Sequence, residues 1–400
     1  MTEESIAKLK VDGELSVAVV SDLHAYEEVG EARPSFYCIR DEFEETPLGA
    51  LLPLFDKEAL QADILVCPGD LGDKANPAAI REAWLRVHEI GDHLGVHLLA
   101  GTVGNHDIDS RYVHNDHDPK GHLQNLKPPF PLPEVDQNDR FWSRNYEIVL
   151  HDAYRLVVLN SSAFHGAGQD EFQHGRISNY TLDALKQRLH ETENRPVNML
   201  LCHHHPQKHM EINLGDYDDM RSGQLLTDLL GNGEFGEWII IHGHKHHPKI
   251  CYAQGGSSAP VVFSSGSLCH VLFDELNTVA QRQFYILRFP FAKYSSTGLV
   301  GTFRAWDYEF KYQWGRPTRK SGLPSRGGFG CREKPAVFAA QIAKWLGTRV
   351  VPWSEFVDEF PWYEYLLPQD QHALRTTLAN EHSINVQSEE EMPVQIGAAS

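Results

Sequence analysis

Leu98-Leu99-Ala100-Gly101-Thr102-Val103-Gly104-Asn105-His106-Asp107 is an apolar run that stops abruptly at polar, chemically capable residues. A short apolar run suits a buried strand, and functional residues just past its carboxyl end are what an α/β sheet offers a ligand. The same pattern recurs along the chain. Strands are expected over 15–20, 64–67, 98–103, 155–160, 198–202, 238–241 and 261–263. Polar clusters close five of these runs: Ser21-Asp22, Gly69-Asp70, Gly104-Asn105, His203-His204 and His242-Gly243-His244. One such coincidence would carry no weight; five in order do. Helices fit between the strands. Residues 77–90 open with a proline and carry Ile80, Trp84 and Val87 at helical spacing, 178–190 carry Leu182, Leu185 and Leu189, and 222–230 form a shorter candidate. Together these patterns indicate α/β layering.

Composition is that of a globular chain with a real core, 41% hydrophobic and 23% charged. No stretch approaches the roughly 18–20 consecutive apolar residues of a membrane helix. The start, Met1-Thr2-Glu3-Glu4, lacks the basic and apolar regions of a secretory signal, so a cytoplasmic location is expected. The net charge of −19 disfavours non-specific binding of a polyanion, which needs Lys and Arg to neutralise phosphates. The six cysteines are scattered and read as buried thiols rather than disulfides. The anomaly is the 23 histidines, many in tight clusters, which invites a metal reading.

Residues 26–53 and 108–139 read as insertions, the second containing Lys127-Pro128-Pro129-Phe130-Pro131. A catalytic domain is expected over 1–314, with an extension over 315–400. Residues 311–334 hold Lys311, Arg316, Arg319, Lys320, Arg326, Arg332 and Lys334, a basic linker or a phosphate-binding segment. An aromatic, helical tail over 335–381 follows, with Trp345, Trp353, Phe356, Phe360, Trp362, Tyr363 and Tyr365 as a packing surface. The last dozen residues read as disordered.

Each polar cluster has chemistry of its own. Asp22 and His24, two apart on an extended segment, point to one side and can ligate one ion. In Gly69-Asp70-Leu71-Gly72-Asp73 the turn swings a carboxylate to the sheet crest, where its two oxygens can bridge two cations. The Asn105 amide suits a divalent metal that also binds phosphate, and His106 can protonate an alkoxide or stabilise the transferring phosphoryl group. Asp107 is placed to orient that imidazole. His203-His204-His205-Pro206 and Gly243-His244-Lys245-His246 complete the set. His114, Asp116, His117 and Asp118 form another cluster, for which a solvated loop is the plainer reading.

Taken in order, these motifs resemble those of calcineurin-like metallophosphoesterases, closest to the branch with cyclic-nucleotide and glycerophosphodiester phosphodiesterases. The likeness runs from about residue 15 to about 312. It implies a two-sheet α/β sandwich flanked by helices, with the α-helical C-terminal extension lying outside it. It also implies two divalent metals (Mn, Fe, Zn or Ni, with Mn favoured). Asp22, His24, Asp70 and His246 would surround one ion. Asp70 would bridge, and Asn105, His204 and His244 would complete the other. His204 is taken because it stands two before the proline, with His203 as the alternative. Asp73 is expected to be structural. The implied reaction is hydrolysis of a phosphodiester by a metal-bridging hydroxide, with His106, supported by Asp107, assisting the leaving group. A phosphomonoesterase or nuclease would share every motif, and a non-catalytic scaffold would be expected to have lost ligands. The expected partners are a phosphoester substrate, with a nucleotide as one candidate and nucleic acid less favoured, no membrane, and a second copy of the chain through the C-terminal extension.

Overall fold

The apolar runs are strands in the computed structural model, which describes residues 13–28, 33–168, 171, 174–208, 219–272, 280–291, 298–309, 313–317, 321–389 and 392–398. The chain divides into two units, Met1–Leu299 with Ala305–Ser325, and Val300–Arg304 with Arg326–Ser400.

The strands of the first unit are β1 (Glu14–Val19), β2 (Ile64–Cys67), β3 (Leu98–Gly101), β4 (Tyr146–Leu150), β5 (Tyr154–Leu159), β6 (Val197–Leu201), β7 (Trp238–His242), β8 (Lys249–Tyr252), β9 (Val261–Ser264), β10 (Gln283–Pro290), β11 (Gly301–Glu309, whose first residues belong to the second unit) and β12 (Gln313–Gly315). The helices are α1 (Leu51–Glu58), α2 (Pro77–Leu94), α3 (Gly121–Gln124), α4 (Val135–Arg144), α5 (Asn179–His190) and α6 (Gly223–Leu230). One sheet runs β12-β11-β10-β1-β2-β3 and the other β4-β5-β6-β7-β9-β8. Both have a parallel centre, β1–β2–β3 in one and β5–β6–β7–β9 in the other. Among the described residues, no helix is long and apolar enough to cross a membrane.

Burial explains the unbroken apolar runs. Val157, Leu159, Leu200 and Ile240 pack with Leu185, Leu189, Leu226 and Leu230 of α5 and α6. Their neighbours Leu156, Val158, Met199, Leu201, Ile239 and Ile241 point to the opposite face and are also fully buried. Each such side chain contributes about 1.5–3 kcal/mol of burial. The second face meets the other sheet, and polar stitches join the two near the crest: Thr102 Oγ1 donates to Leu159 O at 2.7 Å and Ser162 Oγ to Val103 O at 2.9 Å. The helices start and stop where their residues dictate. Asn76 caps α2 by accepting from the N–H groups of Ala78 and Ala79 at 3.0 and 2.9 Å, with Pro77 in the first turn. Ser178 caps α5 through the Thr181 N–H.

Register brings the polar loops together. Val19 pairs with Val66 and Cys67 with Gly101, so β1, β2 and β3 end flush. In the second sheet Leu201 pairs with Ile241 and His242 with Ser264. All the polar clusters therefore leave the sheets along one crest.

The second unit departs from the sequence expectation. Residues 326–329 form β13, paired with Gly301–Arg304, so this part of the basic segment is strand rather than linker. Lys311, Arg319 and Lys320 lie outside the described residues. Three helices follow, α7 (Pro335–Leu346), α8 (Trp353–Glu359) and α9 (Pro368–His382), together with a three-stranded sheet. Its strands are β14 (Val350–Pro352), β15 (Ile384–Glu389) and β16 (Met392–Ala398), in the order β14-β16-β15. The extension is helical, as expected, and carries in addition this small sheet, which takes in Ile384–Glu389 and Met392–Ala398. Buried Ile384 and Ile396 carry the strand alternation, and the acids around Glu389 masked it. The aromatic tail residues Phe338, Phe356 and Tyr363 pack inside this unit.

Candidate metal centre

Four side chains converge at one end of the crest: Asp22 and His24 after β1, Asp70 after β2 and His246 after β7. All are at most 3% exposed. His24 Nε2 stands 3.2 Å from His246 Nε2 and 3.4 Å from Asp70 Oδ2, and His246 Nε2 stands 3.3 Å from Asp22 Oδ1. A second group lies beside it. Asn105 Oδ1 is 2.9 Å from both His203 Nε2 and His244 Nδ1, and those nitrogens are 3.2 Å apart. Asp70 Oδ2 joins the groups, 3.3 Å from His203 Nε2.

These distances and donors fit a pair of divalent cations. Ligand bonds of about 2.1 Å put neighbouring ligand atoms roughly 3.0–3.4 Å apart around an ion. Imidazole nitrogens face each other at 3.2 Å once in each group, a spacing that also suits two ligands of one ion. The buried carboxylates of Asp22 and Asp70 accept from Ser21 Oγ and from the backbone N–H groups of His244 and His106, and the imidazoles beside them complete a donor set that suits a divalent cation. Burial holds His24 and His244 well below the ordinary imidazole pKa, in the neutral form a ligand needs. Burial opposes ionisation of Asp70, yet His203, His106 and His24 hold its carboxyl well below the usual range.

The backbone is strained where the ligands sit. Asp22, His24, Asp70, His244 and His246 all have left-handed φ values, between 46° and 78°, which non-glycine residues rarely adopt. The motif glycines have steric reasons. A Cβ on Gly104 would lie 2.1 Å from Asp70 Oδ1, and one on Gly243 would lie 2.3 Å from Asp22 Oδ2. Only glycine lets these loops close on the carboxylates.

Two expected assignments change. In the triple histidine it is His203 whose Nε2 reaches Asn105, His244 and Asp70. The expected ligand His204 turns its Nδ1 to Ser161 Oγ at 3.0 Å, although it remains close enough to His203 and His244 to complete a three-histidine group. Adjacent residues leaving a strand point to opposite sides, and His203 Nδ1 is anchored 2.9 Å from Pro68 O. The second change concerns Asp107, which does not reach the His106 ring. Its carboxylate accepts the backbone N–H groups of Asp70, Leu71, Gly72 and Gly104 at 2.8–3.2 Å, so it clasps the Asp70 turn. Burial and the charge of Asp70 push its pKa up to about 6. The group beside His106 Nδ1 is Asp73, at 3.1 Å. Burial would lower the pKa of His106, but Asp70 and Asp73 outweigh it and raise it.

One neighbour gave no sequence signal. His270, a lone histidine past β9, puts its ring 4.4 Å from those of His24 and His246. The 114–118 cluster does not gather round an ion position. His114 Nε2 lies 3.2 Å from Lys74 O, and His117 pairs with its neighbour Asp116. His165 Nε2 is occupied by His174 O at 3.0 Å, and His209 lies outside the described residues.

Residues 327–380 match a family model described as wHTH-Calcineurin_assc. Over 200 residues the chain is 25% identical to a cAMP/cGMP dual specificity phosphodiesterase of Mycobacterium tuberculosis (strain CDC 1551 / Oshkosh), covering 50% of this chain and 54% of that protein. The chain thus spans about half the length of the curated relative it matches. Among solved structures, the purple acid phosphatase PPD1 from yellow lupin (Lupinus luteus) seeds is 13% identical, with a TM-score of 0.46, covering 73% of this chain and 52% of that one. A 5′-nucleotidase precursor from Thermus thermophilus is 11% identical, with a TM-score of 0.37, covering 73% of this chain and 54% of that one.

Proposed function

We propose, from the likeness to calcineurin-like metallophosphoesterases, that this chain is a two-metal phosphoesterase acting on phosphodiesters. The observation that carries the reading is the position of Asp70 Oδ2, 3.4 Å from His24 Nε2 on one side and 3.3 Å from His203 Nε2 on the other. A carboxylate so placed would be shared between two ions. Asp22, His24, Asp70 and His246 would hold one ion, and Asp70, Asn105, His203 and His244 the other. The absence of cysteine suits Mn, Fe, Zn or Ni, and Mn is the first to test. When bound, such a pair supplies Lewis-acid polarisation of the phosphoryl oxygens and an activated water.

The chain's own residues do the rest. Asp107 fixes the Asp70 turn through the backbone. Asp73 engages His106 Nδ1, which leaves His106 Nε2 as the atom that passes a proton to the departing alkoxide. Asp70 and Asp73 raise the pKa of His106 against its burial, which favours the protonated ring. Diesters are favoured because the matched relative is by name a phosphodiesterase for cyclic nucleotides, and a cyclic or linear nucleotide is the first substrate class to screen. The −19 net charge sets nucleic acid behind these.

The test is hydrolysis of bis-p-nitrophenyl phosphate beside p-nitrophenyl phosphate with added Mn²⁺. A diester preference that disappears in Asp70→Ala is the expected result. Monoester preference would redirect the reading to a phosphatase, and inactivity on both with Mn, Fe, Zn and Ni would contradict it.

A further inference from the structure

The space beside His106 is larger than a scissile phosphate requires. A cavity of about 1010 Å³ is lined by Glu27, Glu28, Asp73, Lys74, Arg81 and His114, among others. A smaller one, of about 180 Å³, is lined by Asn105, His106, Lys74 and Arg111. Lys74 borders both. Asp73 borders the first and its hydrogen-bond partner His106 the second.

The charges around this space are unevenly matched. Glu27 and Glu28 both pair with Arg40 at 3.2 Å, and Asp73 is engaged by His106. Asp109 accepts the N–H groups of Val113, His114 and Asn115 at 2.7–2.9 Å, and these bonds outweigh burial to hold its carboxyl below the usual range. The acids are thus largely satisfied within the fold. Lys74 and Arg81 are less closely matched. The Lys74 side chain is 84% exposed with its ammonium 3.9 Å from Asp73 Oδ2, and Arg81 makes no ion pair among the described residues. Lys74 is held at this junction by a left-handed backbone (φ 50°), and its carbonyl faces the His114 ring across 3.2 Å.

We infer that these cavities form a leaving-group subsite for an alcohol that carries a second phosphate, with Lys74 and Arg81 as the residues that select it. The inference rests on the phosphodiesterase reading and narrows its substrates to phosphodiesters bearing an additional phosphate monoester.

The test uses the full chain with Mn²⁺ and three dinucleotides, TpT and its singly phosphorylated forms pTpT and TpTp. At least one phosphorylated form is expected to have a KM about tenfold below that of TpT, the scale of a charge-assisted contact to phosphate. Lys74→Glu and Arg81→Glu should each remove most of that advantage, and Lys74→Arg should retain it. Equal KM values for all three dinucleotides, or an advantage that survives both charge reversals, would overturn the inference. Bis-p-nitrophenyl phosphate separates the two levels: its hydrolysis without any phosphate advantage removes this inference alone, whereas no hydrolysis of any substrate removes the underlying reading with it.

Discussion

The two halves of the centre are built from different materials. Around His24 the site is closed, carries the carboxylates of Asp22 and Asp70, and is at most 3% exposed. Around His203 it offers an amide and two imidazoles, has only Asp70 for charge, and is half-buried at Asn105 and His244. A cation is drawn most strongly by buried carboxylate, so the closed half should bind more tightly. The open half should exchange its ion more readily, and it lies on the side where Asn105 and His106 border the cavity. On the proposed two-metal reading, the closed half would anchor and the open half would meet substrate.

The largest single-residue contrast expected between the halves is Asp22→Ala against His203→Ala. Asp22 also accepts the His244 N–H at 3.0 Å, so its loss should empty the closed half and loosen the loop that serves the open one. Turnover is expected to fall by ~10³-fold or more, several kcal/mol of lost charge stabilisation. His203→Ala should leave one ion in place and cost ~10²-fold. Equal ion content in the two variants, measured by plasma mass spectrometry, would erase the contrast.

Asp73→Ala is the intermediate case. It should lower kcat by ~10–100-fold with both ions retained, because it acts on the orientation of His106 and not on a ligand. Loss of an ion in this variant would place Asp73 in the coordination set instead. His204→Ala should have the smallest effect, below ~10-fold and with two ions bound. Loss of the open-half ion there would return the ligand role to His204.

The sequence carried the fold where chemistry and periodicity coincide. The parallel strands that end in polar clusters were legible because burial on both faces demands unbroken apolar runs. The starts of α2 and α5 were legible because Pro77 and Ser178 are helix-start residues. The antiparallel strands β10 and β11 were not, since they end in no polar cluster to mark them. Residue types at the site were readable, but directions were not. Whether His203 or His204 turns inward depends on which side of β6 each residue leaves. Whether Asp73 or Asp107 meets His106 depends on how two loops close over Gly104. His270 reaches the centre only through the fold. In the second unit a dense aromatic stretch resembled an all-helical packing surface, and the acidic end hid the alternation of β15 and β16.

The most direct test of the shared centre is the metal content of the purified full chain beside that of Asp70→Ala, after loading with Mn²⁺ and removal of unbound ion. If Asp70 joins the halves, the native chain should hold two ions and the variant at most one, with diester hydrolysis lost. A variant that keeps two ions and turns over bis-p-nitrophenyl phosphate at the native rate would contradict the shared carboxylate and, with it, the two-metal account.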